Sequence, residues 1–419
     1  MTKHAERLPP GERAAGPDQT RAYKLRTLAT LTFGHANTHW FLGVLGPVLP
    51  LVARDLNLTF TQIGLLLTLR SLGASFGGAS AGVLTDLLGK RKPLLVANLA
   101  VMGAMYASMG YANTLAFLMV PFLLTGMLNS GWHPPAMSAL SRLYPDHRGF
   151  ALGLHGSGAS LAQSIAPLVI GYLLQFTTWR EVMKLHLFPT LISAVLVFFL
   201  LPPILTATSG GVRQYSSDLV QGFRKNRALL SVAAVSCLRT MSYRTLDSFL
   251  PLYLAFHFGM GPAGVGFYVF LLIFSGTLPE SISGLLSDRI GRKGILVGGL
   301  VISTISLVLI PFLPVGLPLG AAISVLGFSL ISLRPIIMAF GFDVTPPDLG
   351  GSTVGFLFSF NQIFTGIGPL VAGVIADQWG LGVTFYFMAA MTAASALAVP
   401  ILFRPQRQSE KIPAAPEVI

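Results

Sequence analysis

The sequence predicts an all-α membrane protein in which twelve transmembrane helices form two duplicated six-helix bundles. Three observations carry that expectation. The 419 residues are 53% hydrophobic and only 11% charged, against roughly 25% charged in a soluble domain. Apolar runs of about 20 residues recur along the chain, each long enough to cross a ~30 Å hydrocarbon core at ~1.5 Å per residue. Short motifs also coincide when the chain is slid against itself by 202 residues. Together with a mean hydropathy of +0.68, these exclude an ordinary water-soluble enzyme.

Taken in order, the apolar runs between charged or Pro/Gly-rich breaks place spans at 27–52, 62–85, 93–112, 114–140, 150–175 and 184–204. The second set is 229–256, 263–287, 294–312, 316–341, 353–376 and 382–403. Residues 1–26 are polar and hold Pro9, Pro10 and Pro17, so a disordered cytoplasmic tail is expected rather than a signal or transit peptide. The domain plan is then a six-helix bundle over 27–204, a cytoplasmic linker over 205–228, a second bundle over 229–403 and a tail over 404–419. The single cysteine, Cys237, falls inside the seventh span and excludes an intramolecular disulfide.

The formal charge of +12 raises nucleic acid as a partner, but the placement of the basic residues argues against it. Of 28 Lys and Arg, 21 fall in segments on the side of the termini, and only Arg54, Arg180 and Lys184 fall in loops on the other side. That asymmetry follows the positive-inside rule and predicts that both termini are cytoplasmic in an inner (plasma) membrane.

The repeat is clearest where GVLTDLLGKRK (Gly82 to Lys92) meets GLLSDRIGRKG (Gly284 to Gly294), with Gly82, Asp86 and Gly89 landing on Gly284, Asp288 and Gly291. At the same offset Gly149, Gly153, Pro167 and Gly171 match Gly351, Gly355, Pro369 and Gly373. One register shared by distant motifs indicates duplication, with halves related by an axis along the membrane normal. In each loop the glycines permit a tight turn and close helix approach, and Asp86 and Asp288 can accept from backbone amides at a helix N-terminus.

These residues resemble the major facilitator superfamily, whose signature after the second span is G, three residues, D, two residues, G and then basic residues. Both copies match, and the resemblance covers the chain from about Leu28 to Phe403. It implies the major facilitator fold, in which spans 1, 4, 7 and 10 line a central cavity. It also implies a gating role for Asp86, Arg91, Asp288 and Arg292, whose contacts latch the halves on the cytoplasmic side. The run GHANTHWFLGVLGPVLP in span 1, WHPPA in span 4 and FLPLYL (Phe249 to Leu254) resemble the fosmidomycin-resistance-like exporter branch. Members of that branch carry an acidic residue where His39 and Pro135 or Ala136 stand here.

Charged and polar residues at membrane depth are costly and mark site candidates. Arg239 lies near the middle of span 7 and, by the repeat, corresponds to Asn37 on span 1. Its rigid five-donor fork suits carboxylate, phosphate or phosphonate, which makes Arg239, Asn37, Arg334, His133 and Arg70 the expected substrate-binding set. Arg70, Arg239, Arg244 and Arg334 outnumber Asp247 and Glu280, so an anionic or zwitterionic solute is favoured. Arg244 and Asp247, three residues apart on a helix, are expected to pair. Glu280 and Arg334 are a second pairing candidate.

His35 and His39 are spaced i,i+4, so both rings leave one face of span 1. Imidazoles titrate near neutrality, and with Asp247 and Glu280 they form the expected proton-coupling set. The spacing also suits a transition metal, but no third and fourth ligand is evident in the sequence, and no metal site is expected. His133 precedes Pro134 and Pro135, which break span 4 in the manner of a helix that lines a cavity. In span 5, GSGASLAQSIAPLVIG (Gly156 to Gly171) partly matches the glycine-proline pattern of exporters in the resembled family, and Gly366, Gly368, Pro369 and Gly373 repeat it in span 11.

No nucleophile elbow, phosphate-binding loop, zinc motif or nucleotide site occurs, so an enzyme is not expected and neither is a cofactor. The expected function is secondary active transport of a small anionic or amphiphilic solute or drug by alternating access, as proton-coupled export. An organic-anion importer (symporter), a metal exporter and a non-transporting membrane sensor are the alternatives. Expected partners are the lipid bilayer, protons and a small-molecule substrate, with no nucleic acid and a monomeric chain.

Overall fold

The computed structural model describes residues 20–88, 91–202, 226–344, 361–362 and 364–402. Outside this range lie most of the expected linker and both tails, together with the second copy of the span 5 motif around Gly351 and Gly355. The side chain of Asp86 is likewise outside the described set.

Every described regular element is a helix. The first half contains α1 (Arg21–Asp55), α2 (Phe60–Leu88), α3 (Arg91–Met109), α4 (Leu115–Gly131), α5 (His133–Leu143), α6 (Arg148–Leu173), α7 (Trp179–Leu185) and α8 (Leu187–Leu200). The second contains α9 (Arg227–Phe256), α10 (Pro262–Thr277), α11 (Glu280–Ile290), α12 (Arg292–Leu309), α13 (Leu317–Ile331), α14 (Arg334–Asp343), α15 (Ile367–Trp379) and α16 (Val383–Leu402). Pairs such as α4 with α5 and α13 with α14 are single spans interrupted by a break, so each half makes six crossings.

By length and composition, Arg21–Asp55, Leu115–Leu143, Trp179–Leu200, Arg292–Phe312, Leu317–Asp343 and Val383–Ile401 are apolar enough to cross a membrane. Helix α9 has 30 residues, about 45 Å at 1.5 Å each, but carries Arg239, Arg244 and Asp247. Its polarity faces protein rather than lipid. The outer surface is apolar instead: Phe76, Phe188, Phe199, Leu317 and Ile401 are all strongly exposed, as lipid contact requires.

Two expected boundaries move. Helix α1 starts at Arg21, inside the expected 1–26 tail, because the Thr20 hydroxyl accepts from the Tyr23 amide at 3.2 Å. Arg26 then donates to the carbonyls of Leu200 and Phe199 at 2.6 and 2.8 Å, tying the start of α1 to the end of α8. Helix α9 starts at Arg227, inside the expected 205–228 linker, where Asn226 caps the Leu229 amide at 3.1 Å. Hydropathy ends a span at its first charges; hydrogen bonding carries the helix beyond them.

The halves meet along α1 with α9, α6 with α10 and α2 with α15. Glycine makes the last two contacts close. A Cβ on Gly266 would strike the Pro167 carbonyl oxygen and one on Gly64 the Pro369 carbonyl oxygen. Both pairs are related by the 202-residue offset, as are Gly171 against Pro262 and Gly373 against Phe60. The glycine-proline pattern of spans 5 and 11 therefore lets helices of opposite halves approach backbone to backbone.

Hydrogen bonds between described residues also join the halves. Arg54 donates to the Ala255 carbonyl at 2.7 Å, the Phe60 and Thr61 amides donate to Asp377 at 2.9 and 2.8 Å, and Thr68 donates to the Gly366 carbonyl at 2.7 Å. All lie in the part of the bundle remote from the face where Thr20 and Leu402 sit.

Candidate functional site

Between the halves lies a cavity of about 70 Å³, lined by α1, α2, α4 and α9 and by Gln362 and Pro369 of the eleventh span. Its charged lining is Arg70, Arg244 and Asp247, with Asn129 and Ser248 beside them. Ligand pockets typically measure roughly 300–1,000 Å³, so the space is narrow for a drug-sized molecule in this arrangement.

Arg70 is held from one side. One Nη donates to the Tyr106 hydroxyl at 3.2 Å, and that hydroxyl donates to the Phe41 carbonyl at 3.3 Å. Tyr106 also stacks on Phe41 with 4.1 Å between ring centroids. The Arg70 Nε remains a buried donor with no partner. Tyr106 escaped the sequence reading because a lone tyrosine in an apolar span carries no pattern.

Arg244 and Asp247 do not form the expected i,i+3 pair: among the described residues the ion pairs lie elsewhere. Both side chains line the cavity instead. Arg70 from the first half and Arg244 from the second thus share one cavity with Asp247, the one carboxylate among its described lining residues.

Arg239 is placed differently from its expected role. It is 4% exposed and absent from the cavity lining. Its Nε and Nη2 donate to the Leu330 carbonyl at 2.9 and 2.6 Å, and Nη2 also donates to the Ile331 carbonyl at 3.1 Å. The reason lies in the neighbouring span. Helix α13 ends at Ile331 and α14 begins at Arg334. Pro335 has no amide to return to the carbonyl four residues earlier, that of Ile331. Arg239 supplies the missing donors.

Asn37, its pseudo-equivalent, also leaves the cavity and donates to the Ser193 hydroxyl of α8 at 3.0 Å. Arg334 meets Glu280 at 2.7 Å within the second half, so neither is free as expected for substrate or proton duty. Asp288 lies 3.3 Å from Arg292, which pairs with Asp343 at 2.9 Å. Arg91 is buried at the start of α3.

The histidines gather in a way the sequence did not reveal. A ring nitrogen of His133 and those of His35 and His39 lie within 4.8 Å of one another. His155 stacks on His35 at 4.1 Å between centroids. Spans 1, 4 and 5 converge here, a proximity no spacing along the chain displays.

Comparison with known proteins agrees with the architecture. The sequence pattern of the Major Facilitator Superfamily matches residues 31–365 and 280–418. The fosmidomycin resistance protein of Escherichia coli (strain K12) is 20% identical over 365 residues, covering 85% of this chain and 88% of that one. The multi-drug resistance efflux pump PmrA of Streptococcus pneumoniae is 23% identical over 390 residues, covering 89% and 94%. In structure, the chain is similar to an inward-facing, unoccupied bacterial homologue of the human lysosomal transporter Spinster, with a TM-score of 0.73 at 16% identity over 91% of this chain and 96% of the other. The nucleoside transporter NupG gives 0.75 at 15% identity over 91% and 100%. A duplicated bundle of broken helices around a charged cavity, matched along nearly its whole length, makes this chain a multi-pass transporter of the Major Facilitator Superfamily rather than an enzyme.

Proposed function

We propose that the protein exports a small anionic or amphiphilic solute across the inner membrane by proton-coupled alternating access, with both termini cytoplasmic. The observation that carries this reading is the shared cavity in which Arg70 of one half and Arg244 of the other face Asp247. A guanidinium on each half gives an anion contacts that change when the halves rock, so binding and conformation are linked. The hydrogen bonds between described residues close the face remote from the termini, which supports an inward-facing arrangement. Asp288, Arg292 and Asp343 then serve the gate on the opposite face, where Asp86 and Arg91 belong as well. Efflux is the named role of the resistance relatives, and it orients the proposal.

Asp247 is the proton carrier in this scheme. A solute with a donor or cationic group beside its anion takes Asp247 directly, so a proton displaces it and exchange results. A solute that is purely anionic gains when protonation removes the negative charge of Asp247 from the cavity it shares with Arg244 and Arg70, which favours symport. That second reading follows from the same three residues, and the sign of the pH response separates the two.

The test is binding and flux. A thermal-shift panel of anions and drugs on purified protein supplies the solute, and proteoliposomes measure its flux with imposed pH gradients. Arg70→Gln and Arg244→Gln each lower affinity at least tenfold, and Asp247→Asn keeps exchange but loses its response to pH. Unchanged affinity in both arginine variants would sink the anion site; flux indifferent to the gradient would remove proton coupling.

A further inference from the structure

The four clustered histidines are half of the eight in the chain, and the anion cavity uses none of them. Their hydrogen bonds decide what they can do. His35 Nδ1 lies 3.0 Å from the carbonyl oxygen of His155, and His39 Nδ1 lies 3.1 Å from Gln163 Oε1. An oxygen of either kind only accepts, so each Nδ1 carries the hydrogen and each Nε2 is left as a bare lone pair. Both Nε2 atoms are buried without a partner. Ordinary packing histidines do not leave acceptors unsatisfied at this depth.

This is the arrangement that precedes metal binding. A ligating imidazole almost always donates its other N–H to a carbonyl or carboxylate, which fixes the tautomer and aims the lone pair. Here two rings on one face of α1 are fixed in that way, by His155 and Gln163 of α6. The third ring, His133, is partly buried, as His39 is, and makes no hydrogen bond to a described residue. It stands at the start of α5, ahead of Pro134 and Pro135, where the helix is already broken.

We propose that His35, His39 and His133 form a binding site for a divalent transition-metal ion of the borderline class, such as Zn²⁺, with a fourth coordination position left open. Neutral imidazole nitrogen selects this class over Mg²⁺ and Ca²⁺, which take oxygen ligands. Zinc–nitrogen bonds of roughly 2.0–2.1 Å place tetrahedral ligands about 3.4 Å apart. The present separations of up to 4.8 Å close by tilting His133, the ring without a tether. Three protein ligands and an open position characterise an exchangeable site rather than a closed structural one. His155, stacked on His35 with both nitrogens unpartnered, adds an apolar face above the first ligand and a fourth imidazole in reserve. The site belongs to the first half alone, so it goes beyond the transport reading and stands or falls without it.

The experiment uses the full chain purified on a tag free of histidine, folded by its melting curve, and titrated first with Co²⁺ alone and then with Zn²⁺. The expected result is one Co²⁺ per chain with visible absorption of four-coordinate intensity, displaced by Zn²⁺. His39→Ala abolishes that absorption and weakens Zn²⁺ binding at least tenfold. Gln163→Leu keeps all three ligands but loses the tether of His39, and weakens Zn²⁺ roughly tenfold or more, as removal of such supporting partners does. His257→Ala, remote from the cluster and stacked on Tyr253, leaves binding unchanged. Arg70→Gln leaves it unchanged as well, which keeps this result separate from the fate of the anion site. If His39→Ala lowers the melting temperature, His133→Asn and Gln163→Leu carry the decision. A folded chain that binds no ion, or an ion whose absorption survives both His39→Ala and His133→Asn, overturns the proposal.

Discussion

The two halves share a frame and differ in what they place inside it. At the 202-residue offset, contacts that bring helices of opposite halves together recur: Gly64 on Pro369 mirrors Gly266 on Pro167. The interior polar residues are not. His35, His39 and His133 correspond to Cys237, Met241 and Pro335, while Asn37 and Trp132 correspond to Arg239 and Arg334. Backbone proximity tolerates almost nothing but glycine, so it preserves the symmetry of the duplicated ancestor. Interior chemistry has no such constraint, and the first half has become imidazole-rich while the second has become cationic.

Arg239 against Asn37 is the sharpest way to break that comparison. Arg239 makes three hydrogen bonds to carbonyls at the break in the tenth span; Asn37 makes one to Ser193. Hydrogen bonds to a charged donor contribute about 1.5–3 kcal/mol and neutral ones about 1. Arg239→Ala, which also orphans two carbonyls, is expected to cost on the order of 3 kcal/mol or more. Asn37→Ala should cost about 1 kcal/mol. Thermal melting of the two variants checks the ranking. A normal melt for Arg239→Ala combined with lost solute binding would return this arginine to the substrate site.

The glycine contacts are the next largest effect and sharpen the symmetric side of the comparison. Gly64→Ala and Gly266→Ala each drive a methyl into a carbonyl of the facing half. Overpacking of this kind costs about 1–3 kcal/mol. The two variants should lower the melting temperature by similar amounts, and the double variant by nearly the sum, because the sites are separate. A neutral result at one position alone would show that the halves do not close symmetrically.

Much of the frame was legible in the sequence because hydropathy and repetition are properties of a chain read in one dimension. The break in span 4 was visible in Pro134 and Pro135, and the depth of Arg239 followed from counting along its helix. Its role was not visible. Pro335 leaves the Ile331 carbonyl open, and only tertiary structure shows that Arg239 reaches it. The same limit hid the histidine cluster. The i,i+4 pair was evident, but its third member comes from a different span. Arg70 and Asp247 were identified as interior charges, whereas their meeting with Arg244 in one cavity depends on how the halves dock.

The smallest expected effect tests a point where the frame itself loses its symmetry. Asp377 accepts from the Phe60 and Thr61 amides, so a carboxylate of the second half caps the start of α2 in the first. At the offset, Asp377 corresponds to Gln175 and Phe60 to Pro262. Proline has no amide to offer, so one of the two mirror-image bonds cannot form. Losing a cap costs about 1 kcal/mol, and Asp377→Ala should lower stability by that amount while Gln175→Ala changes nothing. The cap also spans the halves, so its loss favours any state in which that face opens, by about fivefold for 1 kcal/mol. In a Cys237→Ser background, Ser248→Cys places a thiol on the cavity lining. A membrane-impermeant thiol reagent applied from the face remote from the termini should label it about fivefold faster when Asp377→Ala is added. Unchanged labelling with the expected drop in melting temperature would confine the cap to stability, and the cross-half contact would then hold the fold without biasing its open state.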